Sequence, residues 1–112
     1  MWIKNRTKDT LVADRMWKAD TFWRRLKGLL GTRLLPIGYG IIIKPCSSIH
    51  TFGMNYPIDV LFVDGNHCIV KIVENMLPGK MSMASGSQYV VELPAGTALR
   101  TACSIGDILE LQ

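Results

Sequence analysis

The chain has 112 residues, of which 48% are hydrophobic and 20% charged. That is enough for one modest core and too little for two, and it excludes disordered, collagen-like and coiled-coil classes. The net charge of +4 is unevenly placed: residues 1–33 hold nine Lys/Arg against three Asp, and residues 34–112 hold four against six acidic residues. No apolar run approaches the roughly eighteen residues of a membrane-spanning helix. Residues 1–9 lack the apolar centre of a signal peptide, so the expected setting is the cytoplasm. Cys46, Cys68 and Cys103 form no C-x-x-C pair, which leaves neither a zinc ribbon nor a redox motif. Their expected role is that of small buried hydrophobes.

In chain order, Trp2–Asn5 and Leu11–Trp17 read as two short strands around a polar turn. Asp20-Thr21 is a helix N-cap signal, and Phe22, Leu26, Leu29 and Leu30 follow on one helical face. Gly31 is placed to end that helix, predicted over about residues 21–30. Ile41–Ile43 is a β-branched run stopped at Pro45. Ile58–Val63 and Cys68–Val73 flank Asp64-Gly65-Asn66-His67, the strongest hairpin signal in the chain. The continuous apolar stretch Val60–Val63 predicts a strand buried on both faces. Residues 76–87, with Pro78, Gly79 and Gly86, read as a surface loop. Tyr89–Leu93 is a further strand, Thr97–Ala102 a short helical turn, and Ile108–Leu111 the closing strand. The predicted fold is mainly β: a small barrel-like or rolled, mixed or antiparallel sheet with one main helix, in a single domain over residues 1–112.

The most unusual stretch is residues 45–59, which packs Cys46, Ser47, Ser48, His50, Thr51 and Asp59 between two apolar strands. Cys46 or a nearby serine could pair with His50 as nucleophile and base, with Asp59 orienting the imidazole. Against this, a lone Cys and His four apart define no family of catalysts. The plainer reading makes His50 and Asp59 hydrogen-bonding partners for irregular backbone, with Phe52 and Met54 as core or pocket wall. His50, His67, Asp59 and Asp64 show no metal-binding spacing, so no metal is expected. No phosphate-binding loop is present either, and no cofactor is expected. In the basic third, Trp2, Trp17 and Trp23 alternate with Lys18, Arg24, Arg25 and Lys27, a pattern open to nucleic acid or an anionic surface. The plainer and preferred reading is that the tryptophans fill a core beside the helix and the cations form its solvated face.

Arg25–Leu30, Gly40–Cys46, Ser48–Met54 and Tyr56–Asp64, followed by Tyr89–Gly96 and Ile105–Asp107, resemble in residues and order a bacterial and archaeal family, domain of unknown function 192. The resemblance covers roughly residues 20–111, and its most specific block is Ile-His-Thr-Phe-Gly-Met followed by Tyr-Pro-Ile-Asp. It implies a compact, mainly β single domain and carries no activity, cofactor or substrate with it. Many members carry an export signal or lipoprotein leader, which is not seen here, and Arg100–Ser104 departs from the family's apolar turn before Gly-Asp.

The expected function is that of a small non-enzymatic binding or accessory domain, with no transmembrane segment, expected in the cytoplasm as a monomer. Its candidate ligand site comprises Cys46, His50, Thr51, Met54 and Asp59, and its partner is a small molecule or a protein. A hydrolase or transferase using Cys46 or a serine with His50 is the alternative. A second is nucleic-acid or anion binding through Arg24, Arg25 and Lys27.

Overall fold

Two strands without a single exposed residue organise the molecule. The computed structural model describes residues 1–19 and 35–112. The predicted helix over 21–30, with Trp23 and the candidate anion-binding residues Arg24, Arg25 and Lys27, lies outside the described residues. In chain order the strands are β1 (Ile3–Asn5), β2 (Thr10–Ala13), β3 (Arg15–Lys18), β4 (Tyr39–Ile43) and β5 (Ser48–His50). They continue with β6 (Ile58–Val63), β7 (Ile69–Met76), β8 (Met81–Met83) and β9 (Tyr89–Pro94). A short helix, α1 (Thr97–Arg100), precedes β10 (Leu109–Leu111).

The main sheet has the order β3-β4-β9-β6-β7, so β6 and β9 pair in its interior, and both are buried along all six residues. Side chains alternate across a strand, so the two faces carry different sets. Leu61, Val63, Tyr89, Val91 and Leu93 face a core completed by Ile3, Val12, Ala13, Met16 and Leu109. Ile58, Val60, Phe62 and Val90 face the opposite way, onto Ile49, Met76 and Ala84. The chain is therefore mainly β, as expected, with two layers of side chains on one central sheet.

Three details differ from the sequence reading. The expected strand over residues 11–17 is two strands, because Asp14 interrupts it. β2 joins the sheet β10-β1-β2, while β3 joins the main sheet parallel to β4. The region read as a surface loop, residues 76–87, contains β8, which pairs antiparallel with β5. The alternating Met-Ser-Met carried that signal, and its shortness hid it. The three cysteines are half-buried free thiols and not fully buried hydrophobes. The hairpin turn is as expected: Asp64 Oδ1 accepts from the backbone N–H groups of Asn66 and Cys68. His67 there adopts a left-handed φ of 63°, and its Nδ1 meets the Tyr89 hydroxyl at 2.9 Å.

Asp107 joins the first and last segments. Its buried carboxylate accepts from Asn5 Nδ2 at 2.8 Å, Lys8 Nζ at 2.9 Å and the Ser104 N–H at 2.9 Å. Burial alone pushes this carboxyl up, but the bonds from Asn5, Lys8 and Ser104 outweigh it and the net shift is downward. Stability from Asp107 is therefore present above its ordinary ionisation range and is lost as pH falls through the lowered value. We predict that Asp107→Asn costs about 1–3 kcal/mol at pH 7, with the difference from wild type shrinking toward pH 3. Urea denaturation across that range reads it, and a penalty independent of pH would contradict it.

Candidate functional site

The residues of the 46–59 stretch separate into scaffold and surface. Asp59 lies on β6 opposite Leu93, facing the layer that contains Leu61 and Val63, and is wholly buried. Its Oδ1 accepts from the Asn75 N–H at 2.8 Å, and its Oδ2 accepts from Gly96 at 3.0 Å and Ala98 at 2.9 Å. Asn75 and Gly96 both have left-handed backbone, with φ of 51° and 94°. The bulge at Asn75 within β7 and the turn at Gly96 leave N–H groups without sheet partners, and the carboxylate supplies the acceptor. Thr51 is likewise wholly buried. Its hydroxyl donates to the Leu77 carbonyl at 2.6 Å and accepts from the Lys80 N–H at 2.9 Å, which fastens the turn between β7 and β8.

Cys46, His50 and Met54 come together elsewhere. They border a depression of about 230 Å³ between β4, β5 and the loop after β5. Ile43 and Ile49 supply apolar wall, and Phe52 and Ser48 supply its rim. His50 is exposed, stacks on Phe52 at 4.9 Å between ring centroids, and accepts the Phe52 N–H on Nδ1 at 3.2 Å. The Cys46 thiol donates to the Ser48 carbonyl at 3.0 Å. No hydrogen bond joins His50 to Cys46, Ser47 or Ser48 among the described residues, so the nucleophile–base pair that the hydrolase reading requires is not made. A larger cavity of about 580 Å³ near Met1, Lys18 and Lys44 reaches Ala19, where the described chain breaks. Among the described residues that line it are none of Cys46, His50, Thr51, Met54 and Asp59.

The depression also contains a residue that sequence reasoning missed. Glu92 on β9 sits opposite Val60 and Ile41, on the sheet face away from Asp59. It is only 8% exposed, and its carboxylate has no hydrogen-bond or ion-pair partner among the described residues. Burial pushes the carboxyl up to about 7. The Tyr56 hydroxyl is raised first by its own burial and then by the nearby Glu92 carboxylate. The available signal was a carboxylate inside the apolar run Val90-Val91-Glu92-Leu93, where solvent-facing alternation would have been the easy assumption.

With this geometry in place, the comparisons with known proteins fix the family. The model of domain of unknown function 192, described as "Uncharacterized ACR", matches residues 3–111. The chain belongs to this family. It is 32% identical over 114 residues to a "UPF0127 protein" of Thermococcus sibiricus, an alignment covering 95% of this chain and 71% of that protein. Two crystal structures share the fold. A protein of unknown function from Novosphingobium aromaticivorans is 20% identical with a TM-score of 0.73, covering 98% of this chain and 82% of that one. A protein of Sinorhizobium meliloti called a "putative transcription regulator" is 24% identical with a TM-score of 0.71, covering 97% and 89%. Family membership brings no enzymatic role with it. Among the described residues, no helix is long and apolar enough to cross a membrane.

Two predictions separate the carboxylates. Asp59→Asn places an NH₂ group against a backbone N–H whichever way the amide turns, at a cost of about 2–4 kcal/mol. Faster hydrogen exchange at Asn75, Gly96 and Ala98 is the expected local signature, and unchanged protection there would refute the anchoring role. For Glu92 the sign is opposite to that of Asp107. Between its ordinary value of 4.5 and about 7, the folded protein retains a proton that the unfolded chain has released. The contribution to stability is complete below pH 4.5 and is lost as pH rises through 7. The wild-type protein should lose on the order of 3 kcal/mol across that interval from this group, and Glu92→Gln should abolish the loss. Denaturation midpoints at pH 5, 6, 7 and 8 measure it, and an identical slope in both proteins would contradict it.

Proposed function

We propose that the protein is a non-enzymatic binding domain whose ligand enters the depression beside Cys46, His50 and Met54 and meets Glu92 at its polar end. The unpartnered Glu92 carboxylate carries this reading. Among the described residues no fully enclosed side-chain oxygen lacks a partner, so the Glu92 carboxylate keeps a narrow contact with solvent, and an incoming donor would take the place of water there. The surrounding Ile43, Ile49, Phe52 and Met54 favour an apolar body on the same ligand. At about 230 Å³ the space suits one small group or side chain and not a large cofactor. The chemistry that fits is an alkyl chain ending in an amine: its ammonium would pair with the ionised carboxylate, and the Phe52 face would favour the same charge. Thr51 and Asp59 serve this site from behind by holding the turns that frame it.

The same proposal takes the three sheets as a rolled, barrel-like wrap. The isolated Cys68–Ile108 bridge and the passage from β2 to β3 at Asp14 support it by linking the small sheet to the main one.

Titration with primary alkylammonium ions of three to six carbons, followed by amide and methyl chemical shifts, tests the assignment. Shifts should centre on Ile43, Ile49, Phe52 and Met54, and binding should tighten from pH 6 to pH 8 as Glu92 ionises. Glu92→Gln should weaken binding at least tenfold. Equal shifts from the corresponding alcohols, or undiminished binding by Glu92→Gln, would overturn it.

A further inference from the structure

The ribbon of β5 and β8 presents a face that no packing explains. In its antiparallel register His50 lies opposite Met81 and Ser48 lies opposite Met83. Residues directly opposite each other, and residues two apart on one strand, share a face. His50, Met81 and Met83 therefore stand together on one side, while Ile49 turns inward and is buried. Met81 is 68% exposed and Met83 65%, and Phe52, stacked on the His50 ring, is 54% exposed. Solvating two adjacent thioethers gains nothing for the fold, and the same alternation on an ordinary solvent face would carry polar side chains.

We propose that this face is a binding site for a soft monovalent metal ion, Cu(I) or its analogue Ag(I), held by the His50 imidazole and the Met81 and Met83 thioethers. The inference does not rest on the Glu92 site. Opposed Cβ atoms in such a ribbon are about 5 Å apart, and diagonal or same-strand neighbours about 7 Å apart. Three flexible side chains at that spacing can converge on a single ion, two of them methionines with three rotatable bonds each. The backbone beneath them is fixed. Lys80 O accepts from Thr51 N, Lys80 N donates to Thr51 Oγ1, and Ala84 N donates to Ser47 O, bracketing both ends of β8.

Ligand softness selects the metal. Thioether sulfur favours Cu(I), whereas carboxylate and carbonyl oxygen favour Mg(II), Ca(II) and Mn(II), and this face carries no carboxylate. The Lys71 ammonium, which donates to the Met83 carbonyl at 2.9 Å, penalises a divalent ion more than a monovalent one. The His50 ring gives up the Phe52 N–H on either route, because Nδ1 either binds the ion or takes the proton that leaves Nε2 when Nε2 binds it. Spacing of histidines and carboxylates along the sequence gives no metal motif. The strand pairing adds the methionines, which such a motif search does not count.

The test uses the full chain with methionine methyl groups labelled, titrated with Ag(I) in air and with Cu(I) under anaerobic reducing conditions. The first equivalent should shift the Met81 and Met83 methyl signals and the His50 ring, leaving buried Met16 and Met76 unmoved. Replacing both exposed methionines (M81L with M83L) should weaken binding at least tenfold while preserving the spectrum of the fold, and Glu92→Gln should have no effect. Zn(II) should produce no comparable shifts. Three results would each overturn the proposal: a first equivalent that perturbs only the surroundings of Cys46, Cys68 or Cys103, undiminished binding by the double methionine variant, or an equal response to Zn(II).

Discussion

A single wholly buried carboxylate, Asp59, sets the geometry on which the rest of this domain depends. Three backbone N–H groups, one at a bulge within β7 and two at the turn that opens α1, converge on its oxygens. Both places use left-handed backbone and so divert an N–H from the sheet. The carboxylate thus ties the bulge of β7 and the start of α1 to the same strand, β6. Because β7 leads into the turn that Thr51 fastens, the position of β8 follows from the same anchor. A polar residue inside the central strand thus specifies conformation, with full hydrogen bonding offsetting its burial.

Glu92 shows what the same chemical group does on the other face of the sheet. It is one strand away from Asp59 and nearly as buried, but no backbone donor is aimed at it. The contrast lies in the neighbours and not in the residue type. Beside Asp59 the chain turns and exposes amides. Beside Glu92 the strands β4 and β6 each pair with β9 without a register break, and their amides are committed to β9 and, on their far edges, to β3 and β7. A carboxylate there keeps its proton near neutrality, and the depression next to it acquires a polar end that the fold does not use.

Much of this architecture was legible in the residues. The Asp64–His67 turn was legible because side-chain and backbone signals agree over four positions. The buried strand over Val60–Val63 was legible because only a strand covered on both faces reads as continuous apolar sequence. The 46–59 stretch stood out for its polar content, but sequence distance could not sort Thr51 and Asp59, which support backbone, from His50 and Met54, which border open space. That separation depends on partners 16 to 39 residues away. β8 was hidden for a related reason: three residues carry little periodic signal, and its pairing with β5 is long-range. Glu92 was hidden because one charged residue in a short strand looks solvent-facing until the strand acquires neighbours on both sides.

The placement of β1 has a consequence for synthesis on the ribosome. β1 lies between β2 and β10, and Trp2 exchanges backbone hydrogen bonds with Gln112. β1 can meet one neighbour almost at once, since β2 begins at Thr10. Its other edge stays open until residues 109–111 emerge, after the whole central sheet has been translated. Closure of such a distant pair is slow in chain-entropy terms. Throughout that interval a nascent chain carries an unpaired edge on β1, a point where a second nascent copy or a chaperone can engage before β10 seals it.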